Sequence, residues 1–337
     1  MNFKGGWIAQ PFPPVSLQNG EPWVEDVGNE SNEMQLGPLP NYNSEDPNAE
    51  NYLPPQIVRD QLASGYEFER NDSLSIELNV SNDQTVDSNQ LRNWTTENAW
   101  TGRFPAIFFA KNSIVSNNCL VQVVNIADSS DRETIRQECS DDEDAQKWIE
   151  DGKDVYDTTF FRSEQQMMYG YVEIACKLGD SSLSSAFWLK EHRGLEREID
   201  VFEFSTSKKD SGYSAPFSNM YNMNIHKFTT DGDFSAQRSI NMCTNLSQQE
   251  LIKIGFLWTT THLHWYINDV EIRKVQHNGE FCDLGMNIQL DREYLSWFGL
   301  PNDEQGGTDT FGDFVVHYVR TWNIVASHVG EETSQQD

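Results

Sequence analysis

The chain has 337 residues, 37% of them hydrophobic and 12% aromatic, which is enough for one large β-domain or two small ones. Its 24 Lys+Arg stand against 53 Asp+Glu, a formal net charge of -29. That balance repels phosphate backbones and anionic membranes, and no stretch approaches the length of a membrane span, so nucleic acid and membrane are excluded as partner classes.

Residues 1 to about 65 are rich in Asn, Pro, Gly and Glu, as in Pro11-Phe12-Pro13-Pro14, and carry no sustained period. They read as a loop-rich segment that either wraps the domain or leads into it, with Trp7 and Trp23 as docking points. From about residue 66 short alternating runs appear. Strands are expected at Leu74–Val80, Leu120–Ile126, Tyr169–Leu178, Ser185–Leu189, Glu198–Phe204, Ile252–Trp258, His262–Asn268 and Phe314–Trp322. Turn residues between them give the pattern of an antiparallel sandwich. One acidic insertion, about 128–152, interrupts the series; it reads as a solvated excursion with a helix near Asp142–Asp151. The run Leu263 to Ile272 reads as a hairpin turning at Asn268-Asp269, two residue types that tolerate positive φ. A polar tail occupies 326–337.

The five cysteines, Cys119, Cys139, Cys176, Cys243 and Cys282, form no CxxC pair, which argues against zinc or thioredoxin-type chemistry. Their odd number leaves at least one free thiol in the monomer expected here. The start, Met1 to Trp7, lacks the apolar core of a signal peptide, so export implies that a leader has been removed. Glycosylation sequons at Asn29, Asn71, Asn79, Asn93 and Asn245 lean weakly toward secretion. Spare carboxylates leave room for a structural Ca²⁺, although no EF-hand-like loop is present and no cofactor is required.

The most informative segment is Glu198-Ile199-Asp200-Val201-Phe202-Glu203. Alternation puts Glu198 and Asp200 on one face of a strand but Glu203 on the other. A one-residue bulge between Asp200 and Glu203 restores the phase, gathers all three acids on one side, and buries Ile199 and Val201 behind them. The two Glu backbones are then roughly 13 Å apart. Long side chains leaning together leave a gap of about 5 to 6 Å, the separation suited to a retaining glycoside hydrolase. About one such acid spacing is expected by chance in so acidic a chain. A solvated acidic strand and a Ca²⁺ cluster therefore stay open as alternatives. The apolar filler and the preceding Ala186-Phe187-Trp188-Leu189 favour catalysis.

The strand Glu198 to Glu203 resembles the bulged active-site motif of glycoside hydrolase family 16, and flanking segments agree in order. Met168 to Glu173 is similar to its "YGYFE" strand, Ser184 to Leu189 to "SSAFWL", His264 to Asp269 to the "WYxDG" hairpin, and Asp313 to Trp322 to the closing "VDYVRxW" strand. The resemblance covers about 66–325. It leaves the N-terminal segment unmatched and meets a departure in the acidic insertion. It implies an all-β, concanavalin-type jelly-roll sandwich with a substrate cleft on the concave face. It also implies Glu198 as nucleophile, Asp200 as its assistant, Glu203 as acid/base, and Trp188 as a cleft aromatic, with a core Trp the competing role. Asn224-Ile225-His226 and Ser296 to Pro301, which contains Trp297, resemble the agarase and porphyranase branch, so His226 and Trp297 join the candidate substrate-binding residues. Of the cations bracketing the motif (Lys190, Arg193, Arg197, Lys208, Lys209), Arg197 is the first candidate to bind sulfate or galactan hydroxyls; a solubilising loop charge is the plainer role. The expected function is a secreted, retaining endo-hydrolase of red-algal galactan, agarose or porphyran. A laminarinase-like β-1,3-glucanase and a non-catalytic lectin on the same fold are the alternatives.

Overall fold

The computed structural model describes residues 23–25, 32–39, 53–78, 84–85, 91–98, 100–191, 197–230, 232–277, 280–281, 285–301 and 311–327. The chain forms an all-β jelly-roll sandwich of two large sheets. One sheet, here the site sheet, runs in the spatial order Gly232–Ser235, Met220–Thr229, Arg197–Phe204, Ser185–Lys190, Met286–Arg292, Tyr156–Met167, Ala106–Phe108 and Gly102–Arg103. The other, the outer sheet, is centred on Ile252–Trp258, Gly170–Lys177 and Phe314–Ala326. Neighbouring strands of the site sheet are antiparallel except Tyr156–Met167 with Ala106–Phe108, which is parallel.

The two sheets share one apolar interior. Phe187, Leu189, Ile199, Val201 and Phe202 of the site sheet pack into the cluster that holds Val172, Ile174, Ile254, Phe256, Trp265 and Val319 of the outer sheet. Burying such side chains stabilises the fold by about 1.5–3 kcal/mol each. Trp265 also donates its Nε1–H to the backbone carbonyl of Asp200 at 3.3 Å, so the interior fixes the motif strand from behind. At the start of Gly170–Lys177 the chain requires glycine: Gly170 has φ +139, and a Cβ there would lie 2.1 Å from the carbonyl oxygen of Trp322. The hairpin turn at Asn268 and Asp269 takes positive φ at both positions, 47 and 63, as its residues imply.

Three long strands escape the alternation rule. In Met286–Arg292 the polar residues Asn287, Gln289 and Asp291 alternate with Met286, Ile288 and Leu290, yet all seven residues are buried. A face that reads as solvated is covered by neighbouring strands and loops. Tyr156–Met167 hides the same way behind interior Asp157, Thr158 and Thr159, and Met220–Thr229 behind Asn222 and Asn224. The run Leu120–Ile126 splits into Cys119–Gln122, in the outer sheet, and Asn125–Ile126, beside the site sheet. Of Leu74–Val80 only Ile76–Glu77 pairs as strand, with residues 79–80 outside the described set.

The acidic insertion is exposed over most of its length, yet it is ordered and has a small core of its own. It folds as two helices, Ser129–Glu138 and Glu143–Glu150, each begun by an aspartate cap: Asp128 accepts from Ser130 and Asp131 backbone N–H groups, and Asp142 from that of Ala145. Ile135 and Ile149 pack on Ile107, Ala127 and Val155 in a small core of their own, with Phe104 and Trp148 against it. Within the N-terminal segment, Trp23–Glu25 pairs antiparallel with Val270–His277. Glu33 bridges Asn241, and the amide of Asn268 donates to the carbonyl of Gly37 at 2.9 Å. Trp7, Arg193, Cys282 and most of the polar tail lie outside the described residues. Cys119, Cys139, Cys176 and Cys243 are all free thiols. Among the described residues no helix is long and apolar enough to cross a membrane.

Candidate active site

The bulge anticipated in the motif strand is present. Asp200 pairs with Asn224 while Glu203 pairs with Asn222, so three residues on one strand span two on the other. Opposite, Trp188 faces Asp200 and Phe187 faces Phe202, which places the extra residue at Asp200-Val201. Val201 and Phe202 both enter the interior with Ile199. Glu198, Asp200 and Glu203 thereby share the outward face of the site sheet.

Pairing across four strands builds a grid around them. On one flank Glu198, Asp200 and Glu203 face His226, Asn224 and Asn222. On the other they face Lys190, Trp188 and Ala186. Those three in turn pair with Asn287, Gln289 and Asp291 of the next strand. Asn222 is fixed in place: its amide donates to the backbone carbonyl of Glu203 at 3.0 Å and its oxygen accepts from Ser239 at 2.7 Å.

The three acids share a face but not an electrostatic environment. Glu198 donates nothing and accepts from the Lys190 ammonium. Burial pushes its carboxyl pKa up, but Lys190, His226 and Arg103 together hold it below the ordinary carboxylate range. Glu203 has no such cation within bonding distance among the contacts described. Burial, then the charges of Asp200 and Glu293, drive its pKa well above that range. Asp200 is raised by burial and by Glu198, and it lies 3.2 Å from His226 Nε2. His226 binds Asp233 through Nδ1 at 2.8 Å as well. Burial opposes its charge, but the two carboxylates raise its pKa well above the usual imidazole value, while the Asn224 amide also lies 2.9 Å from Nε2. The surroundings thus push two acids of one cluster in opposite directions, Glu198 toward ionisation and Glu203 toward protonation.

Beyond the motif, the structure adds residues that the sequence alone did not single out. Asp291 and Glu293 are buried acids beside the Ala186 and Glu203 end of the grid; burial raises Asp291 well above its ordinary value and Glu293 to about 7. Arg103, from a strand at the sheet's far side, pairs with Glu293 and has the carboxyl groups of Glu198, Glu203 and Asp291 as further neighbours. Its guanidinium sits 5.1 Å over the ring of Trp100. No periodicity in residues 100–103 could have signalled this role, because it is set by sheet order across about a hundred residues of chain. Lys190 was within reach of sequence reasoning: it lies two residues after Trp188, on the same face, in the strand that pairs with the motif.

Trp188 does face the carboxylates, but it is only 7% exposed. Its ring packs edge-on against Trp100 and Phe160, and its Nε1–H donates to Asp291 at 2.7 Å. It is a packed residue on the face that carries the three acids, held against Trp100 and Phe160. His226 joins the carboxylates and stacks on Phe228 at 5.2 Å. Arg197 does not join them. Strand alternation turns it to the face opposite Glu198, where Glu280 holds its Nε at 3.2 Å and also holds Lys227 at 2.8 Å. The position next to Glu198 in sequence has the wrong parity to join the three acids. Trp297 is 40% exposed on a loop after Met286–Arg292 and leans on Phe298, which packs against Phe217. None of its contacts is with the carboxylates.

Glu198, Asp200 and His226 each place a possible ligand atom within 4.8 Å of the others, the only such trio among the described residues. The donor set fits a resident cation poorly. Lys190 already pairs with Glu198, and Ca²⁺ takes its ligands from oxygen, which His226 does not offer.

Three comparisons bear on this site. A family described as "Beta-porphyranase A-D, GH16 domain" matches residues 68–324. Among solved structures, porphyranase B from Zobellia galactanivorans is 19% identical with a TM-score of 0.62, the match covering 81% of this chain and 98% of that one. β-Agarase B from the same organism is 18% identical with a TM-score of 0.60, covering 80% and 98%. The β-porphyranase BpGH16B from the human gut bacterium Bacteroides plebeius is 18% identical with a TM-score of 0.58, covering 81% and 96%. No curated protein matches by sequence. At these identities the structural likeness establishes the sandwich, and the family match spans both the motif strand and the acidic insertion.

Proposed function

The chain belongs to the β-porphyranase A–D group of glycoside hydrolase family 16 domains, and from that premise we propose that it is a retaining endo-hydrolase of β-linked red-algal galactan, porphyran or agarose. The observation that carries this reading is the bulged strand itself. It turns Glu198 and Glu203 to one face while the neighbours of each push their protonation in opposite directions. Glu198, ionised beside Lys190, attacks the anomeric carbon. Glu203, kept protonated by burial and by surrounding acids, gives its proton to the leaving oxygen and then takes one from the incoming water. Asp200, bound to His226, orients the nucleophile from between them.

Support for a galactan comes from the family match and from neighbours whose names are porphyranase and agarase. A polymer of this kind cannot pass a membrane, so the enzyme acts outside the cell. The test is a panel of porphyran, agarose and laminarin assayed for new reducing ends, with Glu198→Gln as control. Reducing ends from porphyran or agarose, abolished by the substitution, fit the proposal. Release from laminarin alone would move the substrate to β-1,3-glucan. Binding without any release, unaffected by Glu198→Gln, would make the protein a lectin.

A further inference from the structure

We propose that Lys190 is a positioning residue that assists departure of Glu198 in the second chemical step, so that water releases the sugar faster than it is loaded. The inference rests on the reading of Glu198 as nucleophile and deepens it. Lys190 is the cross-strand partner of Glu198, and its ammonium donates to Glu198 Oε2. Two aromatic faces hold the same ammonium, Trp188 with its ring centre at 5.5 Å and Phe228 with its ring centre at 5.1 Å. This is a cation fixed in place before substrate arrives, with its side chain 23% exposed. The other titratable groups facing the pair are Asp200 and Glu203 on the same strand, His226 with Asp233 on one flank, and Arg103 with Glu293 and Asp291 on the other.

The charge changes at Glu198 determine what such a cation does. In the first step the free carboxylate oxygen bonds to the anomeric carbon. The bond from that carbon to the leaving sugar breaks, and the departing oxygen takes the proton of Glu203. Glu198 becomes a neutral ester, and Lys190 loses its anionic partner. In the second step Glu203 takes a proton from water, the water oxygen bonds to the anomeric carbon, and the electron pair of the ester bond returns to Glu198. Lys190 therefore stabilises the start of the first step and the end of the second. It restrains attack and assists departure, and the covalent intermediate does not accumulate.

Lys190→Met keeps the stem between the two rings and removes the charge. The probe is a 4-nitrophenyl β-glycoside of a porphyran- or agarose-derived oligosaccharide, with rapid quenching and intact-protein mass measurement. The expected result for Lys190→Met is a kcat lower by roughly 10²-fold, a KM lower with it, a burst of one equivalent of nitrophenol, and protein carrying the mass of the glycosyl group. Lys190→Arg, which keeps the cation, restores turnover without accumulation. A Lys190→Met enzyme with unchanged kcat, or with reduced kcat, raised KM and no covalent species, overturns the proposal. Glu198→Gln separates the two levels. If it still hydrolyses, or if the wild-type protein cleaves neither probe, the reading of the nucleophile itself fails. If it is inactive while Lys190→Met behaves as wild type, only the role of Lys190 falls.

Discussion

The protein buries carboxylates on both of its sheets, and the two sets are handled in opposite ways. On the outer sheet Glu173 is completely buried, yet its oxygens accept from the hydroxyls of Tyr171 at 3.0 Å and Tyr318 at 3.1 Å, with Lys253 at 3.7 Å. Its neighbours are neutral donors and a cation, which is how a structural acid is stabilised in an interior. On the site sheet Glu203, Asp200, Asp291 and Glu293 crowd one another, and one oxygen of Asp291 is buried with no hydrogen-bond partner. Burial and mutual repulsion favour protons on Glu203, while Lys190, His226 and Arg103 disfavour one on Glu198. Burial alone does not mark a functional acid; the sign of its neighbours does.

The comparison breaks most sharply by exchanging one oxygen for nitrogen in each set. Glu198→Gln and Glu203→Gln are expected to lower kcat by at least ~10⁴-fold while leaving the thermal midpoint close to wild type or raising it. Glu173→Gln is expected to do the reverse. It leaves Lys253 and two tyrosine hydroxyls poorly matched, costs about 1–3 kcal/mol of stability, and keeps most activity; paired assays of turnover and melting read both outcomes. Loss of activity in Glu173→Gln at full stability would dissolve the distinction.

A smaller effect concerns pH. The proposed first step requires Glu198 ionised and Glu203 protonated. With Glu198 held below the ordinary carboxylate range, activity persists as pH falls through that range and is lost only beneath it. With Glu203 pushed well above the range, its proton persists into less acidic solution and activity declines as pH rises through the raised value. The profile of kcat/KM is therefore expected to be a broad bell. Glu293→Gln removes one of the charges that raise Glu203, so it is expected to shift the alkaline limb to lower pH and leave the acid limb in place. The smallest effect is expected at Arg197. Because Glu280 holds it on the far face of the strand, Arg197→Ala is expected to change kcat/KM on porphyran and agarose by less than about 2-fold, in line with a charge outside the cleft.

Much of this was legible in the chain. The motif strand announced both its bulge and its shared face because only a bulge brings Glu203 into phase with Glu198, and its filler residues are those the interior needs. Asn268-Asp269 announced its turn through residue type. What stayed hidden depends on strand order. Arg103, Trp100, Asp291 and Glu293 reach the site only because distant strands lie side by side, and polar alternation in Met286–Arg292 is the same whether the face meets water or a cleft. Arg197 misled because adjacency in sequence means opposite faces on a strand. The helix Ser129–Glu138 was overlooked although Asp128 is a sound capping residue, since only Asp131 and Ile135 of the helix are buried and the apolar stripe is too sparse to register.

The central claim is that Glu198 forms a covalent bond to the sugar while Glu203 supplies and recovers the proton. The most direct measurement is the anomeric configuration of the new reducing end, followed by proton NMR from the first seconds of hydrolysis of whichever galactan the enzyme cleaves. Double displacement predicts that the β-anomer appears first and then mutarotates toward equilibrium. Initial appearance of the α-anomer would mean a single displacement by water and would contradict the account.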